Sequence, residues 1–382
     1  MPSTRAVVGV VGASARAAVH SLARAGFDSW AIDLFNDRDL VRVAECRKCP
    51  IEGYPAALAD LAEEFPPSPL LYTGGLENYP AVVARLASRH SLHGNPPSVL
   101  EAVRDPYRLF PALVRAGLYV PDLVVEGWPC PADRVWLRKP LHSSAGNGIR
   151  FARSGEPASP SHLFQEFVEG IPGSAVFIDD ILAGVTEQLT GERTLHAKPF
   201  GYCGNIGGVD VPAILAGQLR ILGRELREKF GVQGVWGADF ILNDGQAYCL
   251  EVNPRYPASV EVVEHATRVA LLAKDCVPQS VGHPRQNQFP SSRGQSVIAK
   301  AIYYSPHDLV FPQDGPWEAD LAGDFDPWKI PTFADIPESG SRIAAHQPVL
   351  TILVSGSSTR ECRERLQSQA QQLDNLFSRT QS

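Results

Sequence analysis

Residues 237–255 read Gly-Ala-Asp-Phe-Ile-Leu-Asn-Asp-Gly-Gln-Ala-Tyr-Cys-Leu-Glu-Val-Asn-Pro-Arg. Two strand-like runs flank Asn243-Asp244-Gly245, the composition of a hairpin turn. Glu251 and Asn253 are two apart and share one face of their strand, and Asp239 stands on the partner strand. One or two carboxylates with an amide oxygen suit Mg²⁺, which fills its remaining positions with phosphate and water. Register decides whether the three side chains meet. A two-residue turn at Asp244-Gly245 pairs Asp239 with Leu250 and turns Glu251 to the other face. A three-residue turn over 243–245, with Gly245 at positive φ, pairs Asp239 with Cys249 and gathers all three. A metal face therefore requires an odd loop or a bulged strand; otherwise this is a surface hairpin with solvated acids.

Two further segments carry groups that suit a nucleotide. Lys139 closes the run Val135-Trp136-Leu137-Arg138-Lys139 and can reach a phosphate as a point charge. The small residues after it, including Ser144, Gly146 and Gly148, let backbone N–H groups fold over phosphate oxygens. No Gly-Lys-Ser/Thr follows, so this is not a P-loop, and an exposed Gly/Ser hairpin fits equally. Leu163-Phe164-Gln165-Glu166-Phe167-Val168-Glu169-Gly170 offers strand edges and flat apolar walls of the kind adenine needs.

The elements that must hold these groups follow from pattern. Residues 6–12 form a buried parallel strand and Ser14 to Ala25 a helix. Trp30 to Leu34 is a second strand, and a third βα unit follows with helix Tyr54 to Phe65 and strand Leu70 to Thr73. This is the start of a doubly wound α/β domain. Gly9 and Gly12, with Asp33 downstream, miss the G-x-G-x-x-G spacing of a dinucleotide fold. Later helices are expected at Tyr107 to Ala116, Ile214 to Lys229 and Ser259 to Lys274. A polar linker at 276–296 precedes strands 297–304 and 348–354 and a polar helix from Thr359.

Composition bounds the rest. The chain has 382 residues, 44% hydrophobic and 20% charged, so a core of two or three domains is available. A net charge of −7 gives no global attraction for nucleic acid or anionic membrane. No apolar run approaches a membrane span, and Arg16, His20 and Arg24 interrupt any signal-like stretch. Seven scattered cysteines favour a reducing cytoplasm, and Cys46 and Cys49 lack the further ligands of a zinc site.

The order of lysine strand, glycine loop, Gln-Glu-Phe-Val-Glu-Gly and then Asp…Glu-x-Asn-Pro-Arg resembles the ATP-grasp superfamily over most of the chain. It is most similar to predicted ATP-dependent carboligases related to biotin carboxylase, a group associated with C1-carrier pathways. Segments 33–40, 75–80 (Gly-Leu-Glu-Asn-Tyr-Pro), 92–97, 188–191, 200–205 and 253–261 carry that similarity, and 348–362 looks like the C-terminal part of biotin carboxylases. The resemblance implies α/β and α+β architecture: an N-terminal doubly wound pre-ATP-grasp domain (1–97), an ATP-grasp module (98–275) and a biotin-carboxylase-like region (276–382). Within the module, 135–195 would be the lid and 196–275 the metal-site subdomain.

By the same resemblance Lys139 binds ATP phosphates beneath the loop carrying Ser144, Gly146 and Gly148. Gln165, Glu166, Phe167, Val168 and Glu169 form the adenine hinge, and Asp239, Glu251 and Asn253 hold Mg²⁺ or Mn²⁺. Arg255 steadies the transferring phosphoryl and acyl-phosphate oxygens. Relatives carry a lysine where this chain has Pro106, so Arg104 or Arg108 substitutes or that contact is missing. They also place a ribose-binding Glu near Gly173, where only Glu169 is at hand.

The implied reaction is an ATP-dependent carboxylate–amine ligation through an acyl phosphate, releasing ADP and phosphate, with glutamate ligation in C1-carrier cofactor biosynthesis as the preferred case. Arg268 and Arg150 are candidate helpers for a second substrate carboxylate. The expected partners are small-molecule carboxylate and amine substrates, and a homodimer is compatible with them. Two alternatives are a bicarbonate-dependent carboxylase of an amine and a non-catalytic ATP-binding regulator.

Overall fold

The computed structural model describes residues 5–275 and 296–379. Val7–Val11 (β1), Asp28–Asp33 (β2), Glu45–Lys48 (β3), Pro69–Tyr72 (β4) and Ser91–Leu92 (β5) form a parallel sheet of order β3-β2-β1-β4-β5. Val8, Val10 and Val11 are buried, as a strand covered on both faces requires. The winding direction reverses between β1 and β4, the position at whose carboxyl ends sheets of this kind take ligands. Gly12 is needed there, because a Cβ would lie 1.9 Å from Thr73 Oγ1. Asp33 is a turn acid rather than a ribose ligand: its carboxylate accepts the N–H groups of Ala15, Phe35 and Asn36.

Trp136–Pro140 (β6), Arg150–Phe151 (β7) and His162–Glu166 (β8) make a small antiparallel sheet of order β7-β6-β8. The remaining long strands are Ile171–Ile178 (β9), Ile181–Thr190 (β10), Tyr202–Gly207 (β11), Val235–Asn243 (β12), Gln246–Asn253 (β13) and Val297–Tyr304 (β14). Leu309–Val310 (β15), Phe333–Ala334 (β16), Arg342–Ile343 (β17) and Pro348–Gly356 (β18) follow. One antiparallel sheet runs β13-β12-β9-β10-β11-β14-β18-β16, so the C-terminal strands extend the sheet that carries the 237–255 hairpin. Phe177 stacks on Trp236 at 4.1 Å between centroids, in a core shared with Leu219, Leu222 and Leu226 of the Ala213–Phe230 helix. Leu366, Leu373 and Phe377 of the Thr359–Arg379 helix join a second core with residues of β14 and β18.

The helix expected over Tyr54 to Phe65 shortens to Ala57–Ala62, because Tyr54 is extended, and two helices nearer the hairpin also depart from expectation. The one expected over Ser259 to Lys274 ends at Thr267, where Arg268 turns to φ 57° and the freed Leu271 N–H donates to the Glu264 carboxylate at 2.7 Å. A short helix Leu272–Asp275 follows. Ahead of the expected helix near Tyr107 stands another, Pro97–Arg104, with Pro97 in its first turn, where a missing N–H costs nothing. Asp105 ends it and caps Pro106–Arg115 by accepting the Tyr107 N–H at 2.9 Å. All of the expected linker but Ser296 lies outside the described residues. Among the described residues no helix is long and apolar enough to cross a membrane. Cys46 and Cys49 are free thiols that donate to the carbonyls of Ala44 and Pro50.

Candidate active site

The hairpin resolves the register question through its bulge. Asn243 pairs with Gln246 across a two-residue turn, and Asp244 and Gly245 both have positive φ (48° and 77°), the I′ geometry favoured by strand twist. Of the two arrangements that gather the three side chains, the odd loop is therefore absent and the bulged strand is present. β13 bulges at Leu250: Phe240 pairs with Cys249, but Asp239 pairs with Glu251. One extra residue restores the phase, and Asp239, Glu251 and Asn253 come to one face.

Asn253 Nδ2 donates to Asp239 Oδ2 at 2.9 Å, and Asn253 Oδ1 accepts from Arg255 Nη2 at 3.1 Å. Burial and the neighbouring Glu251 push the Asp239 carboxyl up to about 6. Glu251 is held below its ordinary range: burial opposes ionisation, but Arg104, Lys139 and Arg255 together outweigh it. Among the described residues no cluster of three or more His, Cys, Asp or Glu side chains could hold an ion by itself. Two mutually repelling carboxylates and an amide fit a hard divalent cation shared with phosphate oxygens, rather than an all-protein cage.

Three elements meet at Arg104. Its Nη1 donates to Glu251 Oε2 at 3.3 Å, and its Nη2 donates to Asn78 Oδ1 at 3.1 Å and to the Ser143 carbonyl at 3.3 Å. It thereby joins the hairpin, the turn after β4 and the start of the glycine loop. Arg255 reaches the same turn, donating from Nη2 to Glu77 Oε1 at 3.1 Å. Arg104 Nε, Arg255 Nε, Glu77 Oε2 and the Tyr54 hydroxyl are buried without hydrogen-bond partners.

The glycine loop is shaped by close approach. Ala145, Gly146 and Gly148 all have positive φ, and a Cβ on Gly146 would stand 2.0 Å from the Phe200 carbonyl oxygen. Tyr202 N–H donates to the Ala145 carbonyl at 3.1 Å, pinning the loop to the start of β11. Ser144 accepts the Asn147 N–H through its carbonyl. Lys139 Nζ donates to Gln165 Oε1 at 3.0 Å, and burial lowers its pKa.

In the hinge segment only part of the expected set is free. The Glu166 carboxylate accepts from the Asp122 N–H and from Arg134 Nη1, and Phe167 N–H donates to the Val135 carbonyl. Glu169 is exposed, with its carbonyl engaged by Asn243 Nδ2. Phe167 lies edge-on to Phe151, which lies edge-on to Phe200, giving an apolar wall beside Val168. The two proposed helpers are engaged elsewhere: Arg150 pairs with Glu156, and Arg268 donates to the Trp328 carbonyl.

Sequence reasoning left Arg104 as one of two candidates and assigned Glu77 no role. The signal for Arg104 was available in the Pro97 start and in apolar Val99, Leu100 and Val103 at helical spacing. Glu77 had only its place in a quoted motif, because its partner is 178 residues away.

Residues 103–259 match the ATP-grasp domain family model, and this segment, from the end of the Arg104 helix through the hairpin, is an ATP-grasp domain. Over 284 residues the chain is 25% identical to the carbamoyl phosphate synthase large chain of Vibrio cholerae serotype O1; the match covers 67% of this chain and 25% of that protein. The chain thus spans about a quarter of the length of that curated relative.

Solved structures show the same fold over nearly the whole chain. An L-amino acid ligase from Bacillus licheniformis aligns over 97% of this chain and 98% of its own, with TM-score 0.66 and 14% identity. The biotin carboxylase domain of the Hydrogenobacter thermophilus 2-oxoglutarate carboxylase, in complex with MgADP, ADP and bicarbonate, aligns over 94% and 88%, with TM-score 0.67 and 16% identity. An ADP complex of N5-carboxyaminoimidazole ribonucleotide synthetase aligns over 97% of each chain, with TM-score 0.63 and 13% identity.

Proposed function

We propose that the chain is an ATP-dependent carboxylate–amine ligase that forms an amide bond through an acyl phosphate and releases ADP and phosphate. The observation that carries this reading is the single hairpin face where Asp239, Glu251 and Asn253 stand beside Arg104 and Arg255. A carboxylate is a poor electrophile, so its oxygen must first be phosphorylated. Mg²⁺ or Mn²⁺ held by Asp239, Glu251 and Asn253 supplies charge neutralisation for that transfer.

The chain's own groups do the rest by position and charge. Lys139 exchanges Gln165 for a phosphate oxygen, and Arg104 takes the place of the lysine that similar proteins carry at Pro106. The loop with Ser144, Gly146 and Gly148 covers the phosphates from the 135–195 lid. The Val168 backbone and the Phe167 ring receive the base in the hinge that also holds Gln165, Glu166 and Glu169. Arg255 offers its unpartnered Nε–H to the acyl-phosphate oxyanion while Nη2 stays on Glu77 and Asn253, a division of donors that a lysine could not hold in one plane. Free thiols at Cys46, Cys49 and Cys203 agree with a cytoplasmic setting.

The finer reading is ligation of glutamate to an amine-bearing precursor of a C1 carrier. The deciding experiment measures phosphate release from Mg-ATP with acids and amines supplied in pairs, with mass detection of the adduct. A glutamyl adduct supports the finer reading, and another adduct supports the ligase class alone. The bicarbonate found in the Hydrogenobacter thermophilus complex makes bicarbonate the second acid to test. Phosphate release that needs bicarbonate replaces ligation with carboxylation.

A further inference from the structure

We infer that Glu77 receives the acceptor amine: its free carboxylate oxygen binds the ammonium form and takes one proton as the amine attacks. This rests on the ligase reading and adds to it the charge class of the second substrate. Glu77 lies in the turn after β4, where the parallel sheet reverses its winding, the place where such sheets take ligands. Its side chain is 1% exposed. Oε1 is fixed by Arg255 Nη2 at 3.1 Å, while Oε2 is buried with no donor.

The surroundings of that oxygen are polar and unsatisfied. The Tyr54 hydroxyl, also buried and unpartnered, lies against the same turn: a Cβ on Gly75 would stand 2.3 Å from it. A Cβ on Gly74 would stand 3.6 Å from the Arg255 guanidinium, whose Nε has no acceptor. An anionic oxygen, a hydroxyl and an arginine edge thus meet at one turn, next to the hairpin where the acyl phosphate forms. Buried polar groups are ordinarily paired, so a group left open here points to a ligand. Positive charge for ATP and the acid already comes from Lys139, Arg104 and Arg255. A carboxylate oxygen left without a donor beside Arg255 matches an ammonium, which brings three donors and one positive charge.

The step balances. The ammonium gives one proton to Glu77 Oε2, and the freed lone pair attacks the acyl carbon. The C–N bond forms, the C–O bond to phosphorus breaks, and phosphate leaves with the bonding pair and the second nitrogen proton.

The test uses the full chain, Mg-ATP, and two competing nucleophiles, methylamine (cationic at neutral pH) and hydroxylamine (uncharged there). Each of the twenty proteinogenic L-amino acids and bicarbonate is supplied in turn as the acid. Glu77→Gln keeps an oxygen for Arg255 but cannot take the ammonium. The methylamide-to-hydroxamate ratio should fall at least ~10-fold in this variant, the scale of a hydrogen bond to a charged group. An unchanged ratio in folded Glu77→Gln overturns the assignment and leaves the ligase reading standing, as does a wild type that makes hydroxamate but never methylamide. If Glu77→Gln does not fold, Tyr54→Phe reads the same ratio; a severalfold drop supports the site and no change overturns it. A wild type that makes neither product with any acid overturns the ligase reading, and this assignment with it.

Discussion

Arg16 and Arg255 both tie the N-terminal parallel sheet to the antiparallel sheet, and both are removed from bulk water. Arg16, on the Arg16–Arg24 helix, commits every guanidinium nitrogen. Its Nε and Nη2 donate to Asp335, and Nη1 and Nη2 donate to Glu261. Glu261 also accepts from Lys300 Nζ at 2.8 Å, and these cations hold its carboxyl well below the usual range despite burial. Arg255 has one carboxylate partner, and the atoms around it are open. The chemistry of the two clusters is alike. What separates them is the saturation of the arginine and its carboxylate: in the closed cluster Arg16 and Glu261 have no nitrogen or carboxylate oxygen without a partner, whereas in the open one Arg255 Nε and Glu77 Oε2 have none.

The largest expected effect breaks the closed cluster. Glu261→Ala strands Arg16 and Lys300 and should cost about 3–5 kcal/mol in urea unfolding. A loss below about 1 kcal/mol would erase the distinction between the clusters. Next comes the open cluster, where Glu251→Ala should lower ATP-dependent phosphate release by ~10²–10³-fold. Its unfolding free energy should move by less than about 1 kcal/mol. Unchanged turnover would remove the hairpin from the site.

Acid sharpens the contrast, because His265 packs beside the closed cluster. Burial, then Arg24, lowers its pKa to about 4 from 6.5. The unfolded chain therefore binds this proton from pH 6.5 downward, while the folded chain does so only near 4. The folded state loses stability across that window as pH falls. Against His265→Gln, the wild type should lose about 2 kcal/mol more between pH 7 and pH 5. Parallel pH curves for the two proteins would refute it.

Smaller effects fall on the open side. Arg104→Lys replaces a fork that spans three elements with a point charge, and KM for ATP should rise ~10-fold. Mg-ATP should slow hydrogen exchange at residues 142–149 by several-fold, as the loop gains partners. Equal exchange with and without Mg-ATP would argue against closure over the nucleotide.

β1, β2 and β4 were legible because each is a local apolar run punctuated by glycine or a turn, as were β14 and β18, whereas the polar strand Glu45–Lys48 and the two-residue β5 carry no such signal. The shared face of Glu251 and Asn253 was legible from two-residue periodicity, but the register that brings Asp239 to it was not. A bulge at Leu250 has no residue signature as strong as that of the Asp-Gly turn. Arg268 ended a helix that periodicity carried onward, because the compensating acceptor, Glu264, is set by tertiary packing. The ion pair of Arg16 with Glu261 spans 245 positions, and nothing local in either helix announces it. The same holds for Glu77 and Arg255, whose approach depends on how two sheets meet.

The Leu250 bulge also bears on how this segment can change over time. Asp239 and Glu251 share a face only because the residues between them leave the strands in phase, counting one unpaired residue. A single insertion or deletion within the strand segments 239–243 or 246–251 would turn one carboxylate away, unless the turn or the bulge absorbed it. Length variation among functional descendants should therefore fall in the turn at 244–245 rather than in those strand segments. An uncompensated one-residue indel within those segments would mark a lineage in which Asp239 and Glu251 no longer share a face.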